Sequence, residues 1–294
     1  MWRRGHIRII SLLAALLLLP ACSAVKLAYN QAPELAYWYL DGYVDFSDAQ
    51  SLQVKADLAG LHAWHRQTQL PLYVDLLQTL QTQLPLDISP TQACSVFADV
   101  RQKAIDVTVQ AEPAMTALAS TLTPRQLDVL ARKFAKDNVE WRSDYLDSTA
   151  KAARSKRVGQ AVGRFELLYG SPSDAQRELI DKSVDQSRFD AAMSLGERLR
   201  RQRDTLQTLA LLTASSPADT DAFTKSRAVL RALLDRSVNA PNVLYRDYVG
   251  KLTQDGCKTF SDLHNSTTAG QRSKAVATLG GYAKDLKALA TRSR

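Results

Sequence analysis

The segment Leu122–Gln126 has the sequence L-T-P-R-Q, and its pattern of a Ser or Thr followed three residues later by Gln recurs along the chain. The other copies are F-S-D-A-Q at Phe46–Gln50, I-S-P-T-Q at Ile88–Gln92, S-D-A-Q at Ser173–Gln176 and T-A-G-Q at Thr268–Gln271. This pattern is typical of a capping box, in which the hydroxyl oxygen accepts from the third helical N–H and the Gln oxygen accepts from the N–H of the cap residue. It predicts helices that begin after Ser47, Ser89, Thr123, Ser173 and Thr268.

Helical periodicity extends this prediction to the rest of the chain. Apolar residues recur at three- and four-residue spacings behind these starts. The chain has only 12 Gly and 10 Pro in 294 residues, and it shows neither an alternating strand pattern nor a Gly-rich phosphate loop. We therefore predict an all-α fold, a multi-helix bundle with long kinked helices opened by S/T-x-x-Q capping boxes. Pro71 should kink or break the helix that follows Ser47, and the longest helix should run from Ser173 to near Thr213.

The first 22 residues have the features of an export signal. Arg3, Arg4 and Arg8 precede an apolar run at Ile9–Leu19, which has the length of a signal-peptide core and is too short to span a bilayer. The next residues are L-P-A-C at Leu19–Cys22, and this sequence resembles a bacterial lipobox.

The lipobox resemblance implies that residues 1–21 are a lipoprotein signal peptide and that Cys22 carries a diacylglycerol and an acylated amine. Ser23 stands where an Asp would favour retention in the inner membrane, so the resemblance implies the periplasmic face of the outer membrane. The alternative is an ordinary signal peptide cleaved near Ala21. Removing residues 1–21 removes three arginines and no acidic residue, so the formal charge falls from +8 to +5.

Cys94 and Cys257 are the other two cysteines. Two cysteines in an oxidising compartment usually pair, so we expect a disulfide that holds the C-terminal region against the first third of the chain. Two buried thiols or a redox pair are the alternatives, although the chain has no C-x-x-C motif.

The segment 22–46 is rich in aromatic residues and includes Tyr37, Trp38, Tyr39 and Tyr43. We interpret it as a lipid-anchored N-terminal segment, followed by a single helical domain at 47–294. Its aromatic side chains could pack into the bundle core, with the hydroxyl groups bonded to partners. They could also form an interfacial belt against lipid headgroups.

A second candidate interaction surface is basic. Lys151, Arg154 and Arg157 lie in a stretch between Ser148 and Phe165 that has no acidic residue. An exported protein rarely meets nucleic acid, so we expect no nucleic-acid partner and favour an envelope protein or an anionic lipid. A solvated helix face is the alternative.

The sequence offers little for catalysis or metal binding. His62 and His65 have a spacing that could hold a metal on one helix face, but no further ligand follows at a recognisable spacing, and His65 continues an apolar stripe. Asp41 and Asp45 could form an acid–base pair, but no nucleophile lies beside them. We therefore expect no enzyme activity, no metal and no cofactor.

The whole-chain pattern resembles an uncharacterised family of proteobacterial all-helical lipoproteins. The matching pieces, up to about residue 150, are the lipobox, A-Y-N at Ala28–Asn30, W-Y-L-D-G-Y-V-D-F at Trp38–Phe46, W-H-R at Trp64–Arg66, L-P-L-Y at Leu70–Tyr73, L-T-P-R-Q, and D-N-V-E-W at Asp137–Trp141. The family has no established activity. Separately, L-T-P-R-Q is similar to the L-T-x-x-Q motif of periplasmic helical chaperones. We therefore expect a non-catalytic envelope interaction or chaperone-like module, or alternatively a carrier of a hydrophobic or anionic lipid held between helices.

Overall fold

The computed structural model describes residues 24–214 and 220–291, which are helical almost throughout and contain no strand. The helices are α1 (Ala24–Asn30), α2 (Ala32–Val44), α3 (Asp48–Trp64), a π-helical turn (His65–Gln69), α4 (Leu70–Gln83), α5 (Pro90–Ala119), α6 (Pro124–Tyr145), α7 (Ala150–Tyr169), α8 (Asp174–Gln186), α9 (Ala191–Thr213), α10 (Thr220–Val238), α11 (Val243–Asn265) and α12 (Ala269–Ala290). The predicted all-α, multi-helix fold is confirmed. The predicted signal peptide (1–21) and Cys22 lie outside the described residues. Within the described ranges, no helix has the length and hydropathy needed to cross a membrane.

All five predicted capping boxes are formed. In each one the Ser or Thr oxygen accepts from the third helical N–H, and the Gln oxygen accepts from the N–H of the cap residue. They open α3, α5, α6, α8 and α12. The prediction of these helix starts from local sequence is confirmed.

Two of the capping boxes bond to each other through their glutamines. Gln126 Nε2 donates to Gln50 Oε1 over 2.6 Å and to the Asp45 carbonyl over 3.0 Å. Gln50 Nε2 donates in return to Gln126 Oε1 over 3.3 Å and to the Thr121 carbonyl over 3.0 Å. Both glutamines are buried, so this reciprocal pair fixes the start of α3 against the start of α6.

The starts of α8 and α12 are joined in the same way. Gln176 and Gln271 exchange hydrogen bonds of 2.9 Å in both directions. Gln176 also donates to the Ser266 carbonyl, and Gln271 donates to the Ser171 carbonyl. As in the first pair, each acceptor carbonyl lies two residues before the partner helix's cap residue, so one geometry occurs twice in the fold.

The α-helix that follows Ser47 is interrupted just before Pro71, since α3 ends at Trp64 and α4 begins at Leu70. The chain continues from α3 into α4 through the π-helical turn, where the Leu70 N–H donates to the His65 carbonyl. Because Pro lacks an N–H, the wider turn just before Pro71 lets the helical hydrogen bonding continue past it.

The prediction of one long helix from Ser173 to near Thr213 is wrong. α8 ends at Gln186, where Ser187 adopts an extended backbone. A new helix then begins after Asp190, whose side chain accepts from the Met193 N–H. The S/T-x-x-Q pattern does not mark this helix start, because the third residue after Asp190 is Met193 rather than Gln. The longest described helix is α5 instead.

The last two helices pack against helices from the first half of the chain. α12 lies along α4 and α11 lies along α5. The predicted Cys94–Cys257 disulfide is present and joins α5 to α11, with Cα atoms 5.2 Å apart. Cys257 is fully buried, so the bridge lies inside the fold.

Two clusters of buried side chains form the core. The first consists of Leu84, Phe165, Tyr169, Ile180 and Ala275, and the second of Ala119, Leu212, Leu230 and Leu233. The first cluster lies where α7, α8 and α12 meet, and its Phe165 and Tyr169 also form part of the candidate site.

A buried ion pair attaches α10 to α5. The Glu112 carboxylate is buried and accepts from Arg227 Nε over 2.6 Å and from Arg231 Nη2 over 2.8 Å. The hydrogen bonds from Arg231 and Arg227 lower the pKa of Glu112 against the opposing effect of its burial. The carboxylate is therefore held in the charged form that the two arginines require.

Candidate functional site

A cavity of about 630 Å³ opens between α5, α6, α7, α8 and α11. Its wall is largely aromatic and aliphatic. The aromatic residues are Phe97, Trp141, Tyr145, Phe165, Tyr169, Phe189 and Phe260. Both the volume and the apolar lining are typical of a small-molecule binding site.

Helical spacing places two of these aromatic pairs on the wall. Trp141 and Tyr145 on α6 are four residues apart, and their ring centroids are 5.1 Å apart. Phe165 and Tyr169 on α7 have the same spacing and a centroid distance of 4.9 Å. Residues four apart share a helix face, so each helix presents one aromatic pair to the cavity.

The disulfide supports the third pair. Phe97 lies three residues after Cys94, and Phe260 lies three residues after Cys257. Their rings meet edge to face with centroids 5.7 Å apart. The bridge therefore fixes the distance between the α5 and α11 sides of the cavity.

Two arginines line the cavity. Arg157 donates to the Val184 carbonyl over 2.9 Å, and its guanidinium lies 5.0 Å from the centre of the Phe189 ring. Arg164 is exposed and has neither an ion pair nor a hydrogen bond within the described residues. Both could bind an anionic group through guanidinium N–H donors.

One carboxylate in the wall is incompletely bonded. Asp255 Oδ1 lies 3.7 Å from Arg188 Nη1, while the buried Oδ2 has no hydrogen-bond donor among the described residues. Leaving a buried acceptor without a donor is costly. A hydroxyl group on a ligand would supply the missing donor.

A buried histidine fixes the inner wall. His264 Nε2 donates to the Leu86 carbonyl over 2.8 Å, so Nδ1 accepts from the Tyr169 hydroxyl over 2.7 Å. Burial lowers the pKa of His264 and raises the pKa of Tyr169. Both groups are therefore neutral at pH 7, and together they hold α7 against α11.

The predicted basic surface is split between two roles. Arg154 pairs with Asp185 over 2.6 Å and with Asp181 over 3.0 Å, so its charge is largely compensated. Arg157 lines the cavity. Lys151 is exposed on α7.

The four predicted aromatic residues of the N-terminal segment point in two directions. Tyr37 is buried and donates to Ser51 Oγ over 3.0 Å. Tyr43 donates to Asp137 Oδ2 over 2.5 Å, which raises the pKa of Tyr43 and lowers that of Asp137. Trp38 and Tyr39 are exposed. One face of the segment therefore packs on the body and the other is exposed, and contact of the exposed face with lipid headgroups stays a prediction.

The histidines of the H-A-W-H segment bond to α1. His62 Nε2 donates to the Tyr29 carbonyl over 3.0 Å. The Tyr29 hydroxyl lies 3.0 Å from His65 Nδ1, and the Tyr73 hydroxyl lies 3.2 Å from His65 Nε2. Burial lowers the pKa of both histidines. We call Tyr29, His62, His65 and Tyr73 the α1 clasp.

The remaining candidates also have structural contacts. Asp41 Oδ1 accepts from the Phe46 N–H, and Asp45 pairs with Arg125 over 2.8 Å. In the part of the chain that the structure describes, no three or more His, Cys, Asp or Glu side chains form a group that could hold a metal.

Most residues of the cavity were missed by the sequence analysis. They come from five helices, and apolar residues on a helix face are usually core residues. The available local signal was the four-residue spacing of Trp141 and Tyr145, and of Phe165 and Tyr169.

Comparisons with known proteins identify one family. The model described as "Family of unknown function (DUF6279)" matches residues 42–230, more than half of the chain. The expectation of an uncharacterised family is confirmed for this range. No curated protein and no solved structure matches the chain.

Proposed function

The chain belongs to the DUF6279 family of unknown function, and from this premise we propose that it binds an anionic amphiphile in the cavity between α5, α6, α7, α8 and α11. In this proposal the protein is a lipid carrier or lipid-binding protein without catalytic activity. It is held by a lipid on Cys22 at the periplasmic face of the outer membrane.

The observation that carries the proposal is the aromatic cavity itself. Its volume of about 630 Å³ lies within the range of roughly 300–1,000 Å³ that holds small ligands. The lining offers large apolar surfaces from Trp141, Phe165 and Phe260, which suit the apolar body of an amphiphile.

The polar groups of the cavity select the head of the ligand. Arg157 and Arg164 supply guanidinium donors for a phosphate or carboxylate. Asp255 Oδ2 lacks a donor among the described residues, and a hydroxyl beside the anionic group would satisfy it. The ligand class is therefore an amphiphile with an anionic head and a neighbouring hydroxyl.

The cellular location rests on the N-terminal sequence. L-P-A-C at Leu19–Cys22 follows a basic, apolar signal, and the chain resembles proteobacterial lipoproteins in its motifs. A single acyl chain gives only marginal membrane binding, whereas the several chains of a lipoprotein anchor give a stable attachment.

Binding of lysophosphatidylglycerol to the purified chain tests the proposal. This probe has one acyl chain, a phosphate and hydroxyls, and it is used below its micelle-forming concentration. Binding is measured by calorimetry and by the fluorescence of Trp141 in the cavity wall. We expect saturable binding that is stronger than binding of zwitterionic lysophosphatidylcholine.

Two glycines on α11 provide a matched pair of variants. An added Cβ meets no atom within 4 Å at Gly256 or at Gly250, and only Gly256 lines the cavity. We expect Gly256→Phe to weaken binding by about tenfold or more, equivalent to about 1.4 kcal/mol. Gly250→Phe should bind as the unchanged chain does. Equal affinity in both variants, or no saturable binding, would contradict the proposal.

The second candidate is the envelope interaction or chaperone-like module expected from the sequence. Its structural support is that the cavity opens to solvent, where the wall residue Phe97 is partly exposed and accessible to a protein partner. The L-T-P-R-Q similarity adds little, because Thr123 and Gln126 are occupied in helix capping. Suppression of aggregation of an unfolded client protein, lost in Gly256→Phe, would favour this candidate.

A further inference from the structure

An exposed apolar stripe runs along the first two helices. The Gln31 N–H donates to the Leu27 carbonyl over 3.1 Å, and the Leu35 N–H donates to the Gln31 carbonyl over 3.0 Å. Helical hydrogen bonding therefore continues from α1 into α2, and steps of four residues place Leu27, Leu35 and Tyr39 on one face. With 3.6 residues per turn, Trp38 lies between Leu27 and Leu35 around the helix, and all four side chains fall within about 120°.

The side chains of this stripe are largely open to solvent. Leu27, Leu35, Trp38 and Tyr39 are 60–66% exposed. Among the exposed positions between residues 24 and 42, Glu34 is the only Asp, Glu, Lys or Arg. Its carboxylate accepts from Trp38 Nε1 over 2.8 Å. An apolar strip with so little charge is unusual on a solvated helix.

The opposite face of the same helices is firmly attached to the body. Within the α1 clasp, His62 and His65 hold Tyr29 of α1, and Arg66 Nη2 donates to Asn30 Oδ1 over 2.7 Å. On the inner side of α2, the Tyr37 hydroxyl donates to Ser51 and the Tyr43 hydroxyl donates to Asp137. The stripe is therefore held outward in a fixed orientation rather than presented on a loose helix.

We propose that this stripe, defined as Leu27, Leu35, Trp38 and Tyr39, is the surface by which the protein lies on a lipid bilayer, with α1 and α2 parallel to the membrane plane. The proposal rests on the proposed lipid at Cys22 for the attachment point. Only Ser23 separates Cys22 from Ala24, so α1 begins within about 10 Å of the anchor.

The dimensions fit contact with the bilayer surface. From Leu27 to Tyr39 the helical rise is about 18 Å, whereas the hydrocarbon core of a bilayer is about 30 Å thick. Trp and Tyr are enriched at the headgroup level of membranes, and Leu27 and Leu35 would enter the acyl boundary. With only Ser23 between the anchor residue and α1, no spacer holds the body away from the bilayer.

The test uses the chain from Cys22 to Arg294, which contains every described residue. Cys94 and Cys257 are paired, so Cys22 is the one thiol outside the bridge, and it can be coupled to a maleimide lipid in vesicles. This chemical tether has the proposed geometry and does not depend on lipidation in the cell. Vesicles containing phospholipids brominated on the upper acyl chain then quench tryptophan fluorescence at short range.

We expect the brominated vesicles to quench the wild-type chain and to lose that quenching in Trp38→Phe. Leu35→Glu should reduce the quenching, whereas Leu167→Glu on α7 should not, although Leu167 is similarly exposed. Circular dichroism verifies that each variant is folded. Equal quenching in the wild type and Trp38→Phe, or none in either, would overturn the membrane-contact proposal.

The attachment itself is tested separately. The mass of the protein extracted from cell membranes shows whether Cys22 carries acyl chains. An unacylated Cys22 together with quenching through Trp38 would contradict the lipoprotein part of the proposed function and would support the stripe. An acylated Cys22 without quenching would support the lipoprotein part of the proposed function and would overturn the membrane-contact proposal.

Discussion

Replacing Gln126 by Ala tests the reciprocal pair of capping boxes, because an identical sequence pattern without a partner exists elsewhere in the chain. Gln126 and Gln92 both cap their own helices, α6 and α5. Gln126 is buried and also bonds to Gln50 and to the Asp45 carbonyl. Gln92 is exposed, and its hydrogen bonds stay within its own capping box.

The difference in stability follows from the number of hydrogen bonds lost. Gln126→Ala removes the capping bond and three bonds to other elements, two with Gln50 and one with the Asp45 carbonyl, at about 1 kcal/mol each. We therefore expect it to lower the free energy of unfolding by about 4 kcal/mol, and Gln92→Ala to lower it by at most about 1 kcal/mol. For a chain of this size the corresponding loss in Tm is about 2–4 °C per kcal/mol.

Urea unfolding followed by circular dichroism measures both variants, and a double-mutant cycle with Gln50→Ala isolates the pair. Because the two side chains share their amide–amide bonds, the double variant should lose about 1–2 kcal/mol less than the sum of the single variants. Equal costs for Gln126→Ala and Gln92→Ala would refute the reasoning. So would strict additivity between Gln50→Ala and Gln126→Ala.

Two further predictions concern the disulfide and pH. Cleaving the Cys94–Cys257 bridge opens a closed loop of 163 residues, so a reductant should lower the free energy of unfolding by up to about 5 kcal/mol. Urea unfolding with and without the reductant measures this loss. Two free thiols in the unreduced, denatured protein would contradict the bridge. Burial lowers the pKa of His62, His65 and His264 in the folded protein. The unfolded chain therefore binds protons more readily than the folded chain does. The stability present above about pH 6.5 should fall as the pH decreases towards 5. The urea midpoint at pH 7.5 and at pH 5 measures this loss, and a His62→Gln/His65→Gln variant with an unchanged pH dependence would show that the clasp does not contribute.

The helix starts could be predicted because their information is local. A Ser or Thr followed three residues later by Gln contains both hydrogen-bonding partners of the box, as the box at Ser89 illustrates. The start of α9 was missed because Asp190 caps it alone. An interruption near Pro71 was expected, but its form as a π-helical turn was not, because that turn depends on residues before the proline.

The cavity could not be predicted, because it exists only when distant helices meet. Trp141 and Phe260 are 119 positions apart, and each alone has the pattern of a core residue. The partners of the capping glutamines were also missed. A capping box explains one hydrogen bond of Gln126, and nothing in the local sequence indicates the second helix to which its amide donates.

The motifs that carried the resemblance are joined by contacts that orient the first two helices. A-Y-N, W-H-R and L-P-L-Y meet in the α1 clasp through Tyr29, His65 and Tyr73. The motif around Tyr43 meets D-N-V-E-W at Asp137, one helical turn before Trp141 of the cavity wall. Since α6 contributes to both contacts, a change at Asp137 should disturb the stripe and the cavity together. Asp137→Asn, which keeps the shape and removes the charge, should therefore weaken both Trp38 quenching and ligand binding, whereas a loss of only one would show that the two sites are independent.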